Sequence, residues 1–403
     1  MTRVPARRSL PRATTPAVVG VVALALVASL LTVSRSSAQY TASAGTASGT
    51  LATAPCYYRA SVQQGTATST ADGVTTVTIA AVDPNRSFLM FSTRHNLARP
   101  VAAELGGRIA SATTLEFVRA TDEATPVTVT IEWSVVEYAC GVTVQRGSIL
   151  QTAATLDITI AAVPSTAQAF VLWSKNPHLL DQTWDNNDPV VGDLTSTTNL
   201  EFRADALNVN HTIWWQVVSF ADASMIGVQR GTTSLAVGAT SVDVTLPTAV
   251  STARSFLLVG LRSPSGMDMA SGMLRGRLSS TTATIDRSGT TVAITEIGWQ
   301  VVELFDGSSV QSGTSAFATG STIGNATLGT AVDLSHTNAF ASTQTGGGQN
   351  GGRTTYTTDD NVGAAAFALR LTSTTNLELR RDVSAVSGAS ANVAFFVVSW
   401  GLP

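Results

Sequence analysis

A four-residue motif that recurs at a nearly constant interval constrains the fold of this chain more than any other feature. The interval between successive copies of Val-Gln-x-Gly is 82, 84 and 82 residues, with the copies at Val62–Gly65, Val144–Gly147, Val228–Gly231 and Val310–Gly313. This interval is too long for a solenoid turn or a propeller blade, and it suits a small domain with its own core. The sequence therefore predicts a tandem array of four modules.

Each module carries several apolar segments that predict β-strands. Alternating segments such as Val77-Thr78-Ile79 predict half-buried strands, and continuous runs such as Phe88-Leu89-Met90-Phe91 predict strands buried on both sides. Every module closes on a pattern like Trp215-Gln216-Val217-Val218, which is typical of a strand in the middle of a sandwich.

The predicted fold class is therefore all-β, with four tandem six-stranded antiparallel β-sandwich repeats of about 82–96 residues. The predicted modules occupy residues 61–140, 141–226, 227–307 and 308–403, the last of them lengthened by a Gly-rich insertion.

The N-terminal 38 residues resemble a secretory signal peptide. Five arginines lie among them, the run Ala17–Val33 is apolar and uncharged, and Ser36-Ser37-Ala38 offers a small-x-small cleavage site. Residues 39–60 then predict a flexible lead-in rich in Ala, Thr, Ser and Gly. We expect a secreted, extracellular protein; the alternative is that the apolar run is retained as a membrane anchor.

Charge excludes two classes of partner. The signal segment holds five of the 24 basic residues and no acidic residue, so 19 basic groups face 27 acidic ones in the rest of the chain. Nucleic acid is therefore not expected as a partner. Lys175 is the only lysine, so we expect no polybasic patch for a membrane surface after signal cleavage.

The chain contains two cysteines, Cys56 and Cys140, which bracket the first module. In an exported protein they predict a disulfide, which would contribute roughly 4–5 kcal/mol in the chain-entropy model. The alternative is a pair of unpaired small apolar residues, and two cysteines alone are too few for a metal site.

The residues of catalysis do not form a recurring pattern. The four histidines fall at non-equivalent positions of different modules, and the common nucleophile and metalloprotease motifs are absent from the sequence. Gly346–Gly351 satisfies a dinucleotide-binding pattern but lies in a Gly-rich insertion without a strand-to-helix context. The sequence therefore predicts that the protein is not an enzyme.

One loop of the second module has the composition of a ligand site. Oxygen donors at Asp185, Asn187 and Asp188 are suited to calcium, and Trp184 is suited to stacking on a sugar. The alternative is an Asn/Asp-rich turn with Trp184 packed on the sandwich. Apart from this calcium, no cofactor is expected.

A segment that opens on Val-Gln-x-Gly, carries a buried Phe-x-Leu run and ends on a Trp-rich strand resembles the H-type lectin domain. The resemblance implies a six-stranded antiparallel sandwich that often trimerises and binds terminal sugars such as N-acetylgalactosamine. It also implies a binding arginine before the fifth strand, for which Arg99 and Arg275 are the candidates. The Trp-His pair of the family's sugar site is absent from the turns at residues 120–126, 204–210 and 288–291.

These observations lead to two functional hypotheses. The first is a secreted, multivalent, lectin-like protein that adheres to glycans or a cell-surface polymer, with self-association as a further expectation. The alternative is a structural component of an extracellular matrix, spacer or appendage without specific glycan binding. The short links between modules are compatible with a semi-rigid rod and with a compact pseudo-symmetric cluster.

Overall fold

The computed structural model describes residues 58–70, 73–95, 104–119, 128–176, 186–263, 268–346, 362–382 and 390–401. All of them belong to one compact unit, Pro55–Pro403. The predicted signal peptide and nearly all of the predicted lead-in lie outside the described residues. Cys140 is disulfide-bonded, and the only other cysteine of the chain, Cys56, also lies outside them.

Each module contributes six strands within the described ranges. Those of module 1 are β1 (Ala60–Ser69), β2 (Gly73–Thr78), β3 (Ser87–His95), β4 (Leu105–Ser111), β5 (Thr114–Arg119) and β6 (Val129–Tyr138). Those of module 2 are β7 (Val142–Gln151), β8 (Thr155–Thr159), β9 (Ala169–Asn176), β10 (Val191–Ser196), β11 (Asn199–Arg203) and β12 (Asn208–Phe220).

The other two modules repeat this order. The strands of module 3 are β13 (Ile226–Leu235), β14 (Ser241–Thr245), β15 (Ser255–Arg262), β16 (Arg275–Leu278), β17 (Thr282–Asp286) and β18 (Ile294–Leu304). Those of module 4 are β19 (Ser309–Phe317), β20 (Ile323–Thr327), β21 (Thr337–Thr345), β22 (Ala368–Ser373), β23 (Asn376–Arg380) and β24 (Ala391–Ser399).

Every module is a sandwich of two three-stranded antiparallel sheets. The first, sixth and third strands form what we call the inner sheet, in the order β1-β6-β3 in module 1. The second, fifth and fourth strands form the outer sheet, in the order β2-β5-β4. The predicted all-β fold of repeated six-stranded units is thus confirmed, and the Trp-bearing last strand is central in its sheet as predicted.

Helices are short in the described part of the chain. A four-residue α-helix spans Met269–Gly272, and single 3₁₀ turns span Pro84–Arg86, Thr166–Gln168, Thr252–Arg254 and Val362–Ala364. No helix among the described residues has the length and apolar character needed to cross a membrane.

The valine and glutamine of the repeated motif have structural roles. Val62, Val144, Val228 and Val310 are buried in one central hydrophobic cluster. Each glutamine binds the backbone of the loop that follows the second strand of its own module. Gln145, for example, accepts from the N–H of Ala161 (2.7 Å) and donates to its carbonyl (2.8 Å). The same paired contact joins Gln63 to Ala80, Gln229 to Thr248 and Gln311 to Thr330.

The glycine of the motif makes room for the aromatic side chain opposite it. Gly147 pairs with Trp215 across the ladder, and a Cβ added to Gly147 would lie 2.6 Å from the Trp215 indole. The corresponding distances are 2.6, 2.7 and 2.5 Å for the pairs Gly65–Trp133, Gly231–Trp299 and Gly313–Phe395. The indole therefore lies flat over the strand only because the facing residue has no side chain.

In modules 1, 2 and 3, the variable residue of the motif contacts the preceding module around the ring. Arg146 donates to the carbonyl of Ser87 in module 1 (2.7 Å), and Arg230 donates to the carbonyl of Thr166 in module 2 (2.6 Å). In module 1 the equivalent residue is Gln64, which donates to the carbonyl of Leu334 in module 4 (3.0 Å). The first module therefore contacts the last, and the four modules close into a ring.

The ring has a shared aromatic core. Phe88, Phe170 and Phe256 hold equivalent positions on the third strands of their modules. Successive phenyl groups pack edge to face, with their centroids 5.9 Å apart. Module 4 has Asn338 at this place, and its Oδ1 accepts from the indole of Trp400 (2.7 Å). The centroid of the Trp400 indole lies 5.2 Å from that of Phe88 and 5.8 Å from that of Phe256. These four side chains form what we call the aromatic layer.

The ring decides between the two arrangements left open by the sequence. Strand β6 pairs with β1 and β3, whereas β7 pairs with β12, so no hairpin spans this module boundary. Ion pairs reinforce the contacts, as between Arg203 and Glu296 (2.6 Å) of modules 2 and 3. The chain is thus the compact pseudo-symmetric cluster and not the rod.

Candidate functional site

At the seams between modules, the edge strand of one inner sheet lies against the next module. In the seam between modules 1 and 2, Gln216 accepts from the N–H of Leu89 (2.8 Å) and donates to its carbonyl (2.8 Å). In the next seam, Gln300 makes the same contacts with Val171 (2.9 and 3.2 Å). Gln216 and Gln300 thus bind backbone groups of the edge strand that the ladder does not use. We call each of them the glutamine wedge of its seam.

The seam between modules 4 and 1, which we call the ring-closing seam, lacks this wedge. The residue equivalent to Gln216 is Ser134, as its pairing with Met90 in the ladder shows. Ser134 accepts from Nδ2 of Asn338 (3.0 Å). Its side chain is too short to reach Ala339, which stands where Leu89 stands in the first seam. A cavity of about 310 Å³ remains.

Residues from both modules line this seam cavity. Module 1 contributes Gln64, Gly65, Thr66, Met90, Phe91, Glu132, Trp133 and Ser134, and module 4 contributes Asn338, Ala339, Leu369, Arg370 and Leu371. The cavity therefore exists only because the ring closes.

A second substitution makes the ring-closing seam polar. In the first seam, Trp214 packs on Gly106, its Nε1 donates to Asn176 (2.6 Å), and the guanidinium of Arg108 lies 4.9 Å from its ring. The ladder registers place Glu132 and Arg370 at the equivalent positions of the ring-closing seam. The arginine is thus common to both seams, and a carboxylate replaces the indole beside it.

The two charged groups of the seam cavity differ in environment. Burial raises the pKa of Glu132, opposed by a hydrogen bond from Thr66 (2.7 Å) and by the charges of Arg370 and Arg94. Arg370 is exposed, and no hydrogen bond or ion pair joins it to another residue in the described part of the chain. The guanidinium therefore retains its donors for a ligand.

Trp133 provides an aromatic wall. One part of its indole covers Gly65, and the half-buried remainder lines the cavity. Its Nε1 has no hydrogen-bond partner among the described residues. An indole beside a carboxylate and a guanidinium suits a small ligand with both C–H and hydroxyl groups.

Of the site residues predicted from the sequence, those that the structure describes do not line this cavity. Arg99, Trp184 and Asp185 lie outside the described residues. The backbone carbonyl of Asp188 accepts from Lys175 (2.7 Å), which also donates to the carbonyl of Asn187. The lysine thus holds this loop by its backbone, and Asp188 itself is buried.

Arg275 is engaged within its own outer sheet. It donates twice to the carboxylate of Asp286 (2.8 and 3.0 Å), which also binds Arg277. Across the described residues, no group of three or more His, Cys, Asp or Glu side chains is placed to hold a metal ion. Calcium binding by Asp185, Asn187 and Asp188 stays a prediction, as does the ligand-binding role of Arg99, Trp184 and Arg275.

The sequence did carry a signal for the seam cavity. The closing strands read Trp-Gln-Val-Val in modules 2 and 3 but Trp133-Ser134-Val135-Val136 in module 1. The substitution of Ser for Gln is visible by aligning the repeats. Its meaning depends on a contact with module 4, more than 200 residues away in the chain, which sequence reasoning missed.

Neither a family model nor a curated protein matches this sequence. The resemblance to the H-type lectin domain therefore rests on the residues quoted for it.

Proposed function

We propose that this protein is a secreted, lectin-like binding protein that recognises carbohydrate of a glycan or cell-surface polymer, and that the ring-closing seam is its site. The observation that carries the proposal is the cavity that brings Trp133, Glu132 and Arg370 together where another seam is filled by an indole.

The chemistry of the lining supports a sugar. The C–H face of a sugar ring packs on an indole, and its hydroxyls donate to a carboxylate and accept from a guanidinium. The backbone N–H and C=O of Ala339 stand where Gln216 binds the equivalent groups of Leu89, so they add a donor and an acceptor. The cavity of about 310 Å³ is small among ligand pockets and suits a single sugar residue.

The number of ligand sites per chain follows from the differences between seams. Glutamine fills the first two seams, and Phe396 holds the equivalent position of the third. The seam cavity therefore gives one site per ring, and multivalent adhesion would arise from several chains on one repetitive target.

The proposal is tested by filling the cavity. Ser134→Gln installs the wedge of the other seams, and Ser241→Gln makes the same change on an exposed outer strand as a matched control. Mature protein and both variants are screened against glycans and polysaccharides, with calcium and with chelator. We expect saturable binding that falls at least tenfold in Ser134→Gln and is unchanged in Ser241→Gln.

Other outcomes separate the alternatives. Binding that survives Ser134→Gln but is lost with chelator would move the site to the loop containing Asp185, Asn187 and Asp188. An absence of binding in every condition would overturn the proposal and favour a structural component of an extracellular matrix or appendage. Thermal unfolding of both variants checks that each retains the fold.

A further inference from the structure

A second cavity, of about 600 Å³, lies on the axis of the ring and is lined by all four modules. We call it the axial cavity. Each module turns one residue of its third strand toward this cavity. These residues lie two positions after Phe88 and its equivalents, and they are Met90, Leu172, Leu258 and Phe340. Residues two apart on a strand share a face, so the aromatic layer forms the floor of this cavity.

The walls of the axial cavity are also built from equivalent segments. Each module contributes an equivalent pair of residues where its fourth strand begins: Glu104-Leu105, Pro189-Val190, Met273-Leu274 and Ala366-Phe367. Three of these four pairs are entirely apolar. The four facing residues pack on the central core yet are only half-buried, so apolar surface is turned toward the cavity.

Several polar groups of the axial wall are bonded within the ring. The hydroxyl oxygens of Ser92, Ser174 and Ser342 accept from backbone N–H groups of the adjoining module at 2.9–3.0 Å. Lys175 donates to two backbone carbonyls. Burial, together with the charge of Arg119, lowers the pKa of His95 to about 3, so this imidazole is uncharged at neutral pH.

We propose that the axial cavity binds a small, uncharged, apolar molecule. Its volume lies within the range of small-molecule pockets, and its lining is predominantly apolar, as in such pockets. A ligand there would remove apolar surface from water without breaking the hydrogen bonds that join the modules. The axial cavity adjoins the seam cavity, with which it shares Met90, Phe91 and Leu369. It takes a different class of ligand, so the inference does not rest on the proposed function.

The test uses N-phenyl-1-naphthylamine, an uncharged dye whose fluorescence rises in apolar surroundings, titrated into the mature protein. Leu258→Trp fills the axial cavity, and Val237→Trp makes a similar enlargement at a residue that is 66% exposed. We expect saturable binding of one dye per chain, weakened at least tenfold by Leu258→Trp and unchanged by Val237→Trp. Phe340→Trp fills the cavity from another module and serves if Leu258→Trp does not fold.

Two results would overturn the inference. One is the absence of saturable dye binding by the folded protein, which would mean that the cavity is closed or occupied by the chain itself. The other is equal dye affinity in the wild type and both filled variants. Ser134→Gln is expected to bind the dye like the wild type, which separates this site from the seam cavity.

Discussion

At the scale of single residues, the Val-Gln-x-Gly motif is explained by four different contacts. The valine packs in the central core, the glutamine binds a loop, and the glycine leaves room for an aromatic ring. In three of the four modules the variable residue also contacts the preceding module. Because each contact has its own geometric requirement, the motif recurs for structural reasons and does not mark a repeated ligand site.

The first prediction concerns Gly231, the glycine of the motif in module 3. In β13, Gly231→Ala places a Cβ 2.7 Å from the Trp299 indole, whereas Gly227→Ala on the same strand meets its nearest atom at 3.4 Å. We expect Gly231→Ala to lower the free energy of unfolding by about 1–3 kcal/mol through overpacking, and Gly227→Ala to change it little. Denaturant unfolding compares the two variants. Equal effects would show that the Trp299 contact is not the cause.

His95 gives a prediction about pH. Its pKa falls from 6.5 to about 3 in the folded protein, chiefly because burial disfavours the imidazolium and secondly because of Arg119. The unfolded chain therefore binds the proton more readily between pH 6.5 and 3. Stability due to this group is complete above pH 6.5 and is lost as pH falls, by about 1.4 kcal/mol per pH unit.

The measurement compares the wild type with His95→Gln at several pH values. Other groups titrate in both proteins, so the difference between their free energies of unfolding isolates His95. We expect the wild type to lose stability relative to the variant below pH 6.5. A difference that stays constant down to pH 4 would contradict a buried neutral histidine.

At the scale of elements, the third strand of each module lies at an edge of its inner sheet, and the next module covers that edge. An uncovered edge invites pairing with other chains. Here the glutamines of two modules bind the edge directly, and the serines of three seams accept from the adjoining fourth strand. Ring closure thus protects edges that a rod of separate sandwiches would expose.

Gln216 provides the prediction at this scale. Gln216→Leu keeps the size of the side chain but leaves the buried N–H and C=O of Leu89 without partners, which costs roughly 2–4 kcal/mol. Gln64→Leu removes one exposed hydrogen bond of another seam, for which we expect about 0.5–1 kcal/mol. Thermal and denaturant unfolding rank the two variants, and the opposite ranking would refute the wedge role.

At the scale of the whole molecule, one hydrophobic cluster joins residues of all four modules. It extends from Ala60 in the first module to Trp400 at the end of the last. A module cannot bury this surface alone. Stability is therefore expected to be shared among modules rather than to be a property of each one.

This sharing predicts a single unfolding transition for the ring of four modules. Calorimetric and van't Hoff enthalpies should agree, because no module remains folded when the central core opens. Removal of residues 308–403, which deletes Trp400 and module 4, should leave no stable ring. Separate transitions for individual modules, or a fully folded truncated chain, would contradict the shared core.

Much of the fold could be predicted from the sequence. Short β-branched segments, the apolar run at Phe88–Phe91 and the closing strand at Trp215–Val218 all became strands, because local periodicity reports which faces are buried.

The candidate site could not be predicted in the same way. Glu132 and Ser134 read as ordinary residues of a closing strand, and Arg370 reads as an outward residue of another module. They form one cavity because the ring joins the two ends of the array. The loop at Asp185–Asp188 attracted attention by composition, yet composition does not report which side chains meet.

The sequence by itself determined the repeat, the number of modules, the all-β class and the strand that carries each core tryptophan. These properties depend on residue order within about 80 positions, which periodicity records directly. Only the tertiary structure decided that the array closes, that one seam stays open and that an apolar cavity lies on the axis. Those properties depend on contacts between modules. Ser134 in place of a glutamine opens a seam without changing the alternating pattern of its strand.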